Sequence, residues 1–394
     1  MSGSTAAQPD RGASWITRIA VLAALGIAVI YIPQPIQPLV AEEFRLPLAA
    51  SAGGVIATQF GYAAGVFLLV ALGDRVRARI QVAAHLVGTA LAIAVAAVSP
   101  WNELFVVACF VAGAGAAYGQ LLVPVALRAV PASARATTTA VLVGSFLVGL
   151  FFARTGLGAL ADLLGWRATM LVCAAVLLAC LALLPAVPSE PIRDPPSYLR
   201  LIASLPGIMR RSPALVAMTA AHACTFAAFA TLWATSIVFA VAELDFDVAQ
   251  AALLGLAGLA GGATTVLLAR VYARLSMRTG ILITLGAALV GGVVLALGTG
   301  LTAVVVVALY LVSAGMSGSQ VFTQARALRA VAPAEGGRAN TIYVTGTFVL
   351  SSVATAVGAS LQRAFDFEAV ALMCLGLLLA AAATLVVARR RQLY

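Results

Sequence analysis

Long apolar stretches alternate with short polar loops along the whole chain. A bilayer core about 30 Å thick requires ~20 apolar residues per helix, and twelve stretches satisfy that length. The pattern therefore predicts an all-α membrane protein with twelve transmembrane helices. Their approximate bounds are 15–40, 51–72, 80–98, 102–127, 137–160, 168–187, 213–241, 248–270, 279–299, 302–325, 340–361 and 367–387.

The charged residues divide the loops into two alternating sets. One set is rich in arginine, as in Arg75, Arg77 and Arg79, whereas the other is mainly acidic, as in Glu42 and Glu43. Arginine accumulates on the cytoplasmic side of membrane proteins, so both termini are predicted to be cytoplasmic. An even number of spans agrees with that orientation. We expect the protein to reside in the inner (cytoplasmic) membrane of a bacterium.

Composition narrows the functional classes. Hydrophobic residues make up 62% of the 394 residues and charged residues only 10%, which is too apolar for a soluble domain. The net charge of +10 comes from arginines scattered between apolar runs, so we expect lipid and no nucleic acid as a partner. Five cysteines lie inside apolar runs, which favours packing over disulfides or metal binding. We expect neither a cofactor nor a metal site.

An internal repeat divides the chain into halves. The stretch ALRAVPASARATT at 126–138 matches ALRAVAPAEGGRANT at 327–341, an offset of about 200 residues. We predict six-helix bundles at 1–187 and 213–394, joined by a cytoplasmic linker at 188–212. The linker stretch SYLRLIASLPGIMRRS is amphipathic and predicts a helix on the membrane surface, with a plain linker as the alternative. Duplicated halves are typical of transporters that bind substrate between them, near the midplane.

The stretch YIPQPIQPLV at 31–40 is unusual for the end of a transmembrane helix. Its prolines predict a helix distortion, which lipid tolerates only beside protein or water. With helical spacing, Tyr31, Gln34 and Pro38 would share one face. Tyr31 and Gln34 are therefore candidate substrate ligands, although Gln34 could equally satisfy the broken backbone. For Gln37 we favour the backbone role.

Arg154 follows the apolar stretch VLVGSFLVGLFFA, well inside the fifth predicted span. A charge there is costly and should face a water-filled path or a partner. No acidic residue lies deep in any predicted span, so a substrate group is a candidate partner. The alternative is that the side chain extends to the outer surface, towards Asp162. His222, near the middle of the seventh span, is a candidate for proton coupling or for simple packing.

Several stretches resemble the major facilitator superfamily over essentially the whole chain. They are GDRVRARI between the second and third spans, PQPIQPLVAEEF, TQFGYAAGVFLLVALGDRVRAR and ARTGLGALADLLGWR. The stretches look most like the bacterial drug, sugar and nucleoside exporter branch, which includes drug:proton antiporters. The resemblance implies two pseudo-symmetric six-helix bundles around a cavity that opens alternately to each side.

The resemblance also implies roles for particular residues. Asp74, Arg75 and Arg79 of the loop motif would gate the cavity. The pair Ala153-Arg154 stands where the antiporter motif usually has Gly-Pro, which leaves proton antiport open. On the helices that the superfamily points at the cavity, the candidate substrate ligands are Gln59, Tyr62, Tyr118, Gln320 and Tyr343.

The leading functional hypothesis is a monomeric secondary transporter that exports a small polar or amphipathic molecule, with protons as the candidate coupling ion. This hypothesis includes multidrug efflux by antiport. The alternative within transport is uptake or exchange of a small anionic or polar metabolite. A polytopic membrane enzyme would need clustered acids, bases or metal ligands, and the sequence does not place such residues together.

Overall fold

The structure is a computed structural model that describes residues 13–47, 51–69, 76–131, 134–185, 197–298, 301–332 and 335–393. Within these ranges the regular elements are helices, with no strand. Ten helices are long and apolar enough to cross a membrane, and two shorter apolar helices fill the second and eighth predicted segments. The helix pattern therefore matches the twelve segments expected from hydropathy.

The described residues of the N-terminal half form eight α-helices. Helix α7 is the longest of them, and a short 3₁₀ helix at Cys180–Leu183 follows α8. The helices are α1 (Ala13–Tyr31), α2 (Gln37–Glu43), α3 (Gly53–Leu69), α4 (Ala78–Val98), α5 (Asn102–Ala116), α6 (Tyr118–Ala129), α7 (Arg135–Leu164) and α8 (Trp166–Ala179).

The linker helix α9 precedes the C-terminal half, whose central helix α10 is buried along most of its length. A helix that is apolar all round belongs inside a bundle. The helices are α9 (Tyr198–Arg211), α10 (Pro213–Glu243), α11 (Val248–Leu253), α12 (Gly255–Leu267), α13 (Ala269–Tyr272), α14 (Met277–Leu297), α15 (Thr302–Arg329), α16 (Gly336–Ala364) and α17 (Phe367–Arg390).

The first predicted span is interrupted, as its prolines suggested. Turns occupy residues 32–36, between α1 and α2, and Pro38 lies in the first turn of α2, where a missing N–H costs nothing. Because the backbone is not helical at Gln34, the expected shared helical face of Tyr31, Gln34 and Pro38 is wrong. The break instead turns the Gln34 side chain into the protein, where it is fully buried.

Glycines allow the helices to cross closely. A Cβ atom on Gly113 of α5 would collide with the backbone of Thr58 in α3. A Cβ atom on Gly258 of α12 would collide with Phe151 of α7 and with Trp233 of α10. Because Gly258 has no Cβ atom, α12 of the C-terminal half can pack against α7 of the N-terminal half.

Helix α9 makes polar contacts with both halves. The Tyr198 hydroxyl donates to the Leu68 carbonyl oxygen at 2.8 Å, and Arg338 Nη1 of α16 donates to Ser204 Oγ at 2.9 Å. One face carries the buried Leu205, whereas Leu199 is 76% exposed. Residues 198–211 therefore form the helix expected from the amphipathic pattern. Its location at the membrane surface and the domain bounds at 187 and 212 remain predictions, since residues 186–196 lie outside the described ranges.

Candidate functional site

Arg154 is buried between the two halves of the protein. Arg154 is 1% exposed, and it is the only buried charged residue among those whose burial the structure describes. Nε donates a hydrogen bond to Gln34 Oε1 at 2.8 Å. The structure thus places the guanidinium inside the protein beside the break in the first span, whereas Asp162 is exposed near the end of α7. Whether Arg154 binds substrate remains a prediction.

Four aromatic rings surround the Arg154 guanidinium, and we call them the aromatic box. The distances from Cζ to the ring centroids are 4.7 Å for Tyr31, 5.6 Å for Phe151, 5.0 Å for Phe229 and 4.4 Å for Trp233. At these distances each ring attracts the cation through its π-electron face. Tyr31 and Phe151 belong to the N-terminal half, whereas Phe229 and Trp233 belong to the C-terminal half.

The box leaves strong hydrogen-bond donors unused. Within the described ranges, Arg154 Nη1, Arg154 Nη2 and Gln34 Nε2 are buried and lack a hydrogen-bond partner. A guanidinium has donors only, so only a group with acceptor atoms can satisfy it. The acidic residues of the described ranges are exposed or half-buried, so none of them lies with Arg154 in the interior. The site is therefore positively charged and suited to a hydrogen-bond acceptor.

Local sequence positions the rings of the C-terminal half. His222, Phe226, Phe229 and Trp233 follow one another at helical spacings of i, i+4, i+7 and i+11, so they share one face of α10. Neighbouring rings of this face contact one another, with centroids 5.7 Å apart for Phe226 and Phe229. Trp233 Nε1 donates to Ser313 Oγ of α15 at 3.2 Å, which fixes the orientation of the indole.

A second polar cluster lies at the other end of this aromatic face. The His222 ring stacks on Tyr343 of α16, with centroids 5.1 Å apart and planes 8° from parallel. The Tyr343 hydroxyl lies 2.9 Å from Thr323 Oγ1 of α15. His222 Nδ1 is buried without a hydrogen-bond partner among the described residues. The two clusters together give α10 a continuous face of aromatic and polar side chains.

Two further predicted residues lie where α3 meets α16, at the contact between the halves. Gln59 Oε1 accepts a hydrogen bond from Ser351 Oγ at 3.3 Å. The Tyr62 ring lies against Phe348, with centroids 4.5 Å apart. Gln59 and Tyr62 therefore border the surface along which the halves would separate.

Gln37 makes another polar contact between the halves. Its Nε2 atom donates to the Ala234 carbonyl oxygen of α10 at 2.9 Å and to the Gln34 carbonyl oxygen at 3.1 Å. Gln37 thus stabilises the broken backbone of its own chain segment, as we favoured from the sequence. It also links that segment to the C-terminal half, which sequence reasoning did not anticipate.

Two other predicted site residues, Tyr118 and Gln320, have contacts outside the aromatic box. Tyr118 is buried on α6 beside His85, with ring centroids 6.5 Å apart. Gln320 is half-buried on α15, where its backbone carbonyl accepts from Thr323. Of the predicted gating residues, Asp74 and Arg75 lie outside the described ranges, and Arg79 is exposed in the first turn of α4.

Sequence reasoning missed several residues of the site. Phe151, Phe229 and Trp233 form most of the aromatic box, and Phe348 and Ser351 contact the predicted residues of α3. The helical spacing of aromatic residues on α10 was a signal for Phe229 and Trp233. An aromatic stripe in an apolar helix is commonly a packing feature, so this spacing by itself does not identify a site.

Sequence comparisons place relatives of this chain among transporters. A family model described as Major Facilitator Superfamily matches residues 19–355. "Probable transporter SCO4007" of Streptomyces coelicolor is 34% identical over 347 residues, which cover 86% of this chain and 79% of that protein. "Uncharacterized transporter YgaY" of Escherichia coli O157:H7 is 29% identical over 234 residues, which cover 59% of each chain.

Solved structures with the same fold include three transporters. A variant of the nucleoside transporter NupG gives a TM-score of 0.74 at 13% identity, covering 94% of this chain and 99% of that chain. The human organic anion transporter MFSD10 gives 0.73 at 17% identity, with the same coverage. The transporter PepTSo gives 0.71 at 13% identity, covering 97% and 99%. At these identities the likeness shows the fold alone, and it agrees with the twelve-helix architecture.

Proposed function

The chain belongs to the Major Facilitator Superfamily, and from that premise we propose that it exports a small polar or amphipathic molecule by alternating access. The family and its relatives make the protein a multi-pass membrane transporter and not an enzyme. The proposal concerns what the family alone leaves open: the direction of transport, the binding site and the source of energy.

One observation supports the proposed binding site. Arg154 is a buried cation between the halves with unused donors on Nη1 and Nη2. Burying such a group without partners is costly. The cost is understandable when a transported molecule supplies the partners during the transport cycle. We therefore assign substrate binding to Arg154, Gln34 and the aromatic box. Gln59 and Tyr62 lie at the contact between the same two halves and would border the path of the substrate.

The candidate for proton coupling is His222. It is a buried imidazole with a free Nδ1 in the described part of the protein, and it stacks on Tyr343 at the end of the aromatic face of α10. Imidazole exchanges protons near neutral pH in water. We propose that His222 takes part in exchange of substrate for protons. Replacement by glutamine would then leave substrate exchange intact while abolishing transport driven by a pH gradient.

Direction of transport is tested with membrane vesicles. In the proposed orientation both termini are cytoplasmic, the membrane is the bacterial inner membrane and the protein is a monomer. Inside-out vesicles that contain the protein should accumulate an exported substrate when a proton gradient is imposed. Accumulation only in right-side-out vesicles would favour uptake, and exchange without a gradient would favour an exchanger of anionic or polar metabolites. The observation that favours the anionic alternative is that Arg154 has no buried acidic partner among the described residues.

A further inference from the structure

The chemistry of the Arg154 site identifies a substrate class, and this inference rests on the proposed function. We propose that the substrate is a flat organic monoanion, namely an aromatic or unsaturated carboxylate. Its carboxylate would bind to Nη1 and Nη2 of Arg154, and its apolar body would lie among the rings of the aromatic box.

The donor arrangement favours a carboxylate. Nε of Arg154 is already bound to Gln34, so the free donors are Nη1 and Nη2, which lie on adjacent corners of one planar group. Two carboxylate oxygens match such a pair of donors in a bidentate geometry, which gives both strength and direction. Gln34 Nε2 is a further buried donor without a described partner next to this pair. A cationic substrate would instead meet the like charge of Arg154.

The charge balance favours a single negative charge. Among the residues whose burial the structure describes, Arg154 is the only charged one that is buried. A dianion would leave one charge without a counter-charge in a site surrounded by apolar side chains, which is strongly unfavourable. A monoanion neutralises Arg154 and removes the cost of its unused donors. The charge count therefore argues against phosphate esters and dicarboxylates.

The rings favour a flat apolar body over a small inorganic anion. Tyr31, Phe229 and Trp233 present π-faces within 5.0 Å of the guanidinium. Flat molecules bury apolar area against such rings, whereas chloride or acetate would bury little. Tyr31 belongs to the N-terminal half, whereas Phe229 and Trp233 belong to the C-terminal half. Separation of the halves would therefore open a slot between these rings, next to Arg154.

The first experiment measures charge selectivity of the unmodified, purified full-length protein. Benzoate, neutral benzamide and cationic benzylamine share one ring and differ in charge, so they are matched probes. We expect benzoate to raise the melting temperature and to change the tryptophan fluorescence of the protein, with smaller effects from the other two probes and from acetate. Bound ligand stabilises the folded state by mass action. Equal or larger responses to benzamide or benzylamine would overturn the inference.

Variants then locate the anion. Arg154→Gln should weaken benzoate binding by about 10- to 100-fold, the range expected for charge-assisted hydrogen bonds, and should leave benzamide binding nearly unchanged. Arg154→Lys keeps the charge but loses the planar pair of donors, so binding should fall by a smaller factor. Arg390→Gln, at the exposed end of α17, is the matched control and should bind as the unmodified protein does. Benzoate binding unaffected by Arg154→Gln would also overturn the inference.

The failure of this inference can be told apart from the failure of the proposed function. Vesicles that export a cationic or neutral compound would retain the exporter and exclude the organic-anion class. Benzoate binding that depends on Arg154, in a protein that moves anions only inward, would retain the substrate class and exclude export. Charge selectivity in the unmodified protein remains decisive even if an Arg154 variant fails to fold.

Discussion

Gln37 makes a hydrogen bond between the halves whose loss should shift the conformational equilibrium. In the structure, Gln37 Nε2 donates to the Ala234 carbonyl oxygen at 2.9 Å. This contact exists only while the two halves are close on this side, which is predicted to face the outside of the cell. Gln37→Leu removes the contact with little change in volume. We expect the variant to populate the outward-open state more than the unmodified protein does.

The expected size of the shift follows from the contact that is lost. Ala234 lies inside helix α10, so its carbonyl oxygen keeps the N–H of the next helical turn as a partner. Between the halves, the loss is therefore that of one hydrogen bond and not of a newly orphaned acceptor, at ~0.5–1.5 kcal/mol. That free energy changes the ratio of open to closed molecules by about 2- to 13-fold. The second bond of Gln37 Nε2, to the Gln34 carbonyl oxygen, lies within the N-terminal half and is not counted in the shift.

Distances between spin labels measure this ratio. Labels at Glu43 and Glu243, the exposed last residues of α2 and α10, would report the separation of the halves after the native cysteines are replaced by alanine. Gln362→Leu is a matched control, because Gln362 Nε2 donates to the Thr235 carbonyl oxygen within the C-terminal half at 3.3 Å. The control should leave the distances unchanged. An unchanged distance distribution in Gln37→Leu, or a shift to shorter distances, would refute the gating role.

Three further substitutions test the site and its surroundings. Trp233→Ala should weaken benzoate binding by about 2- to 13-fold because the ring against which the flat body would pack is lost. Trp233→Phe, which retains a ring, should bind better than Trp233→Ala in the same thermal-shift titration. Gly113→Ala should lower the melting temperature, because overpacking costs ~1–3 kcal/mol of folding free energy. Gly88→Ala is the control and should not lower it, since a Cβ at Gly88 meets no atom within 4 Å. Equal effects of the two substitutions would contradict the close crossing of α3 and α5. Tyr198→Phe removes the bond from α9 to the Leu68 carbonyl oxygen and should speed hydrogen exchange in α9; unchanged exchange would show that this bond does not hold the linker helix.

The sequence predicted the helical fold because the relevant physics is local. Apolar stretches of bilayer length and the distribution of arginine depend only on nearby residues. For the same reason Arg154 could be recognised as unusual, since any charge deep in a span needs a partner wherever the other helices lie. Pro33 and Pro35 likewise predicted a break in the first helix, although they did not show in which direction the Gln34 side chain would point.

The tertiary structure alone decided which residues meet. The sequence suggested Asp162 or a substrate as the partner of Arg154, whereas the structure gives Gln34 and four rings from three helices. Tyr118 satisfied the same polarity argument as Tyr31 and yet lies beside His85. Hydropathy fixes how many helices cross the membrane, but the partners of a side chain depend on the rotation and crossing of each helix. Those are set by close contacts such as that of Gly258 with Phe151 and Trp233, between residues far apart in the chain.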